Sequence, residues 1–301
     1  MRSSYNDLEK IMISDGVYDL SWNTSISKSL WLDHVAKVLM SSLRVCYQMV
    51  RNKRNVLVHC SDGWDRTAQV CSLVQILLDP YFRTIEGFQI IISKEWLKAG
   101  HRLQYRTGHG EDNIDDTNRS PVFMQFLDCC WQLLNQYPLD FEFNELLLLD
   151  SIDQLYSGRF GTFFFNNERE RVEQNLPNET TSYFDYIDDR RDLYLNPKYV
   201  NGHQEVIFPS SSSLLRNVTL WEGYWMRYST TMESFHRLPK DVVGWCKQRK
   251  DAIISSRKIR TNVYSTTSKV DMDMVVALQL ELLKKEKEIN SLKKEIEEKK
   301  N

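Results

Sequence analysis

The sequence predicts an α/β domain in which a central sheet is flanked by helices. Three observations carry that expectation. The short β-branched run Asn55-Val56-Leu57-Val58-His59 passes through a brief polar loop into the amphipathic stretch Ala68 to Asp79, and a buried strand feeding a helix is how layered α/β domains are built. Apolar residues at 31, 32, 35, 38, 39, 43, 46, 49 and 50 recur with a helical period. The chain is 42% hydrophobic and 12% aromatic, with eight Trp, which is enough apolar mass to offset the entropy of ordering a core.

The elements follow in order. Trp31 to Val50 reads as a helix, then comes the Asn55–His59 strand, then the Ala68 to Asp79 helix. Gln89-Ile90-Ile91-Ile92 fits either a second strand or part of a helix. Ser120-Pro121 reads as an N-cap and first helical position, and the face behind it runs through Phe123, Phe126, Leu127, Cys130, Trp131 and Leu134. Another helix is expected from about Phe143 to Tyr156, stopped by Gly158. The run Leu146 to Leu149 reads as core, as do the thiols of Cys46, Cys71, Cys129 and Cys130.

Composition divides the chain into a globular part at 1–229, a basic linker at 230–270 and a coiled coil at 271–301. Arg237 to Arg260 holds eight Lys/Arg against two Asp, a charge that suits a solvated linker or an anionic membrane surface. In the last segment Val275, Leu282, Ile289 and Ile296 are spaced by seven. Leu278 and Leu292 occupy d positions, and Lys285 and Lys299 fill the other two.

The net charge of -2 argues against a general nucleic-acid binder. No apolar run approaches the ~18 residues of a membrane span, and Met1 to Asp7 leads into no signal-like segment. Six Cys without paired spacing read as reduced thiols in the cytosol. No metal-ligand spacing, Gly-rich nucleotide loop or Ser/His/Asp triad is found, so no cofactor is expected.

The chemistry concentrates at Cys60-Ser61-Asp62-Gly63-Trp64-Asp65-Arg66-Thr67. After a strand, five residues can curl until their backbone N–H groups converge at the positive end of the following helix, which is a site for a phosphate. Arg66 adds a fork of donors. Cys60 lies beneath the same point, where the helix end and Arg66 should lower its pKa and make it a thiolate nucleophile for phosphoryl transfer. Ser61, Asp62, Gly63, Trp64, Asp65 and Arg66 are the expected substrate-binding residues. His59 is expected to orient the loop or the thiol through a hydrogen bond. His101, Arg102, Arg106 and His109, near Lys94 and Lys98, form a basic stretch suited either to an anionic headgroup or to a hydrated helix face.

The Cys60–Thr67 motif resembles the active-site signature of the myotubularins, lipid phosphatases of the cysteine-dependent superfamily. The resemblance continues through Tyr81–Phe88, Lys94–Leu97, Gly100–Arg102, Gly108–Gly110, Arg119–Pro121, Phe141–Glu145, Phe160–Phe163 and Trp221–Arg227, and covers roughly Trp31 to Ser229. It implies the cysteine-dependent phosphatase fold. It also implies removal of the 3-phosphate from phosphatidylinositol 3-phosphate and phosphatidylinositol 3,5-bisphosphate. Cys60 would be the nucleophile, Arg66 the phosphate clamp and Asp65 the general acid, with Asp62 a rival for that role. Arg102 matches a position that contacts the phosphate bridging inositol to the lipid. The family's coiled coil agrees with the heptad and implies a homodimer or a heterodimer with a related myotubularin. The expected setting is cytoplasmic, peripheral to endosomal or other intracellular membranes.

Relative to that family the chain is expected to be N-terminally truncated. The pleckstrin-homology-type domain and much of the catalytic domain before Val56 have no counterpart, so the strand should lack neighbours and expose apolar surface. Two alternatives to a lipid 3-phosphatase are therefore kept. One is an inactive or adaptor protein acting through its coiled coil. The other is a protein tyrosine or dual-specificity phosphatase, which the two acidic residues of the loop disfavour.

Overall fold

The computed structural model describes residues 1–13, 22–109 and 118–227. The expected linker and heptad lie outside them. The first helices are α1 (Arg2–Ile13), α2 (Trp22–Ser29), α3 (Trp31–Val50) and α4 (Arg66–Leu78). A 3-10 turn, Pro80–Arg83, leads to α5 (Ile85–Ile91), which continues as a π-helix, Ile92–Lys98. Then come α6 (Leu103–Thr107), α7 (Val122–Gln136) and α8 (Glu145–Ser157), followed by short helices up to Glu222–Trp225.

The expected central sheet is not there. Among the described residues no strand forms, and the sole pairing is an isolated antiparallel bridge between Phe143 and Leu195. Residues 55–59 are irregular, with Val56 36% and Leu57 87% exposed. A strand exists only where a neighbour takes its backbone groups, and every element near enough in this structure is a helix. Gln89 to Ile92 joins the helical run. The N-cap expected at Ser120 is instead at Pro121, so α7 opens one residue later than the motif suggested. At α8 the cap is Asn144, whose side chain accepts from the Leu146 N–H, and Gly158 ends the helix in the left-handed region at φ 66°.

α4 is the central helix. Ala68, Gln69, Ser72, Leu73, Val74, Ile76 and Leu77 are all buried, so it is covered on several sides, chiefly by α3 and α7. Two buried tryptophans organise the core around it. Trp31, at the start of α3, packs edge-on to Tyr5 and Trp225 at 5.5 and 5.6 Å and donates to Asp128 of α7 at 2.7 Å. Burial pushes the Asp128 carboxyl up to about 6, against the hydrogen bonds it accepts. Trp96, in the π-helix, meets Phe123 and Phe126 of α7 at 4.8 and 5.0 Å and donates to Ser72 of α4 at 3.1 Å. Gln69 donates to the Val122 carbonyl at 2.9 Å and to Gln125 at 3.0 Å. These bonds fix the first turn of α4, and with it the loop that precedes it. Cys46, Cys129 and Cys130 are core thiols as expected, whereas Cys71 is only half-buried.

Candidate active site

Cys60 to Asp65 form a bend that closes onto the N-terminus of α4. The Gly63 N–H donates to the Cys60 Sγ at 3.1 Å, and Gly63 takes φ 89°, a conformation that favours glycine. Burial raises the Cys60 pKa. The Thr67 hydroxyl and the N–H groups of Gly63, Thr67 and Asp62 outweigh it and bring the thiol down to about 7. Of the two expected causes, the helix end contributes through the Thr67 N–H, and Arg66 does not. Thr67 is the missed residue: its hydroxyl is buried and has no hydrogen-bond partner among the described residues, which leaves it available to the thiolate. The thiolate fraction at neutral pH is therefore substantial.

Arg66 is exposed and spans the loop, its Nη2 donating to the Ser61 Oγ at 3.2 Å. Ser61 donates in turn to Asp62 at 3.2 Å. Asp65 occupies the N-cap position of α4 but does not cap it. Its carboxylate is taken by two residues of the following elements. Arg106 grips it with Nε at 3.2 Å and Nη2 at 2.7 Å, and the His101 Nδ1 lies 3.1 Å away. Burial favours the protonated form of Asp65, but the hydrogen bonds from His101 and Arg106 prevail and hold its pKa below the usual carboxylate value. Turned toward Arg106 and His101, the Asp65 side chain leaves the N-terminus of α4 without a side-chain cap.

His101 and Arg106 reach Asp65 because of the irregular backbone before α6. The π-helix closes with the His101 N–H donating to the Trp96 carbonyl at 2.9 Å, and Gly100 turns the chain at φ 81°. Arg102 then stacks on the Trp64 ring at 4.0 Å, with Tyr105 at 5.8 Å.

The basic stretch is thus divided. Arg102 and Arg106 stand at the loop and His101 beneath it. His109 packs against Tyr156 at 5.9 Å instead, and Lys94 turns to Gln75 and Glu95 at 2.6 and 3.3 Å. His59, expected to orient the loop, is exposed and makes no hydrogen bond among the described residues. No group of His, Cys, Asp and Glu among the described residues could hold a metal ion.

A thiol of lowered pKa, the Arg66 guanidinium and the uncapped N-terminus of α4 thus occur together in one loop, an arrangement suited to a tetrahedral oxyanion. The Myotubularin-like phosphatase domain matches residues 1–172. The chain is 41% identical over 247 residues to phosphatidylinositol-3,5-bisphosphate 3-phosphatase MTMR2 of Gallus gallus, which covers 81% of this chain and 43% of that protein. The Mus musculus protein of the same name is 43% identical over 247 residues, 81% and 38% of the two chains. Myotubularin of Xenopus tropicalis is 41% identical over 229 residues, 76% and 38%. The chain therefore spans between 38% and 43% of the length of these relatives. The matched profile and these identities place the chain in the myotubularin phosphoinositide phosphatase family.

Proposed function

We propose that the chain carries the reaction centre of a phosphoinositide 3-phosphatase that releases the 3-phosphate of phosphatidylinositol 3-phosphate and phosphatidylinositol 3,5-bisphosphate. The observation that carries this reading is the Cys60 thiol, lowered to about 7 by donors of its own loop and spanned by Arg66. The thiolate attacks phosphorus as the bond to the inositol oxygen breaks, and the departing oxygen takes a proton from an acid. Water then attacks the cysteinyl phosphate, releasing inorganic phosphate and restoring the thiolate. Arg66 and the N–H groups of the loop and of the α4 N-terminus stabilise the charge on the transferring group.

Asp65 is the acid in this scheme. Two cationic or donor side chains hold it ionised in the empty loop, so it acquires a proton only when a phosphate dianion raises its pKa. Asp62 has no such partners and remains the rival. Arg102, stacked on Trp64, meets the phosphate that bridges inositol to the lipid. The substrate lies at a membrane surface, met peripherally from the cytoplasm, and the heptad at 271–301 pairs the chain with a copy or a relative. The described residues contain no helix long and apolar enough to cross a membrane.

The test is phosphate release from phosphatidylinositol 3-phosphate. Cys60→Ser is expected to abolish it with the fold intact, because a hydroxyl of ordinary pKa replaces the thiolate. Retained turnover in the folded variant contradicts the mechanism. An adaptor role without catalysis is favoured by one observation, the uncovered Val56 and Leu57 beside the loop. It stands if the unmutated chain releases no phosphate while binding a family relative.

A further inference from the structure

We infer that His101 is a positioning residue for the phosphate loop, turning the Asp65 backbone N–H toward the oxyanion. The inference rests on the loop's proposed role as a phosphate site. His101 is fully buried and its Nδ1 lies 2.8 Å from the Trp64 carbonyl oxygen. Both atoms facing Nδ1, that carbonyl and the Asp65 Oδ1 at 3.1 Å, are acceptors, so Nδ1 carries the hydrogen.

The Trp64 carbonyl and the Asp65 N–H belong to one planar trans peptide and point in opposite directions. Pinning the carbonyl down onto His101 therefore directs the N–H away from it, to the face where the loop opens. Among the described residues that N–H has no protein acceptor. Arg106 already holds both oxygens of the Asp65 side chain. His101 shares the Asp65 side chain with Arg106, and of the two it alone also holds the backbone.

The other ring nitrogen strengthens the case. The His101 Nε2 is buried without a hydrogen-bond partner, while the ring packs edge-on to Trp96 at 4.8 Å. Burying an unpaired polar atom is unfavourable, and an apolar ring would fill the same space without that cost. What a phenyl ring could not supply is the Nδ1 donor. The irregular turn at Gly100 places that donor directly below the loop.

The experiment measures alkylation of Cys60 by iodoacetamide in the 301-residue chain, with tungstate as an unreactive tetrahedral oxyanion that protects the thiol. His101→Phe keeps ring and volume but removes the donor, and should raise the tungstate concentration for half-protection about tenfold, the loss of one hydrogen bond to a charged group. His101→Asn restores a donor near Nδ1 and should recover most of the protection. A purely structural role instead lowers the melting temperature of His101→Phe and leaves tungstate protection unchanged, which overturns the inference. Should neither variant fold, nitrogen NMR of the unmutated chain decides. A hydrogen on Nδ1 that shifts when tungstate binds supports the inference, and a hydrogen on Nε2 overturns it. A wild-type Cys60 that tungstate does not protect overturns the phosphate-loop reading, and this inference with it.

Discussion

The two sides of Cys60 differ in how the molecule supports them. On the C-terminal side, α4 is buried along most of its length, and its first turn is tied to α7 by Gln69. On the N-terminal side, residues 55–59 lie unpaired, with Leu57 87% exposed. The loop between them is nonetheless closed: its thiol, Asp65 and Trp64 all find partners. The difference teaches that the loop from Cys60 to Arg66 is held from its helical side. Thr67 and Gly63 set the thiol, while His101, Arg102 and Arg106 brace the loop from the segment after the π-helix. The run before Cys60 delivers the chain to the loop and contributes no described hydrogen bond to it.

That contrast can be broken by mutation on each side. The largest effect is expected at Trp96→Ala, which removes the ring joining α4, α7 and His101. It should cost about 3–5 kcal/mol in chemical denaturation. Leu73→Ala in the buried face of α4 should cost about 2–5 kcal/mol by the same measurement. Gln69→Ala leaves the Val122 carbonyl without its side-chain donor and should cost about 1–3 kcal/mol, with a matching slowing of Cys60 alkylation as the first turn loosens. At the small end, Leu57→Asp should change stability by no more than about 0.5 kcal/mol, because the side chain is already in solvent. A loss of several kcal/mol at Leu57 would show that the run is covered, and the comparison would fail.

Within the loop the two carboxylates sharpen the same contrast. Asp65→Asn should slow turnover far more than it weakens substrate binding, since it removes a proton donor and keeps the shape. Asp62→Asn, exposed and held only by Ser61, should do less. Steady-state kinetics that give the reverse order transfer the acid role to Asp62.

How much of this was legible in the sequence depends on the distance over which each feature is determined. The α3 span follows from its own apolar period, and the observed Trp31–Val50 agrees residue for residue. The loop chemistry is local too, because Cys60 and Arg66 are six positions apart and α4 follows at once. The sheet was not legible, because a strand is defined by neighbours that the run Asn55–His59 does not itself contain. The partners of Asp65 were hidden for a related reason: His101 and Arg106 lie 36 and 41 positions downstream, beyond a π-helix that no periodicity announces. For the thiol's low pKa the sequence named the helix end and Arg66; the helix end contributes, but the Thr67 hydroxyl stands where Arg66 was expected, because charge is easier to read from sequence than the direction of a threonine hydroxyl.

The central claim is that Cys60 is a thiolate prepared by its own loop. Its alkylation rate by iodoacetamide, followed by mass spectrometry across pH, tests this most directly, with the buried Cys46, Cys129 and Cys130 as internal references. Because the folded pKa is lowered, the rate should rise with pH through a midpoint of about 7 and level off above it, and Thr67→Val should move that midpoint upward. A midpoint near 9, unchanged by Thr67→Val, would contradict the account.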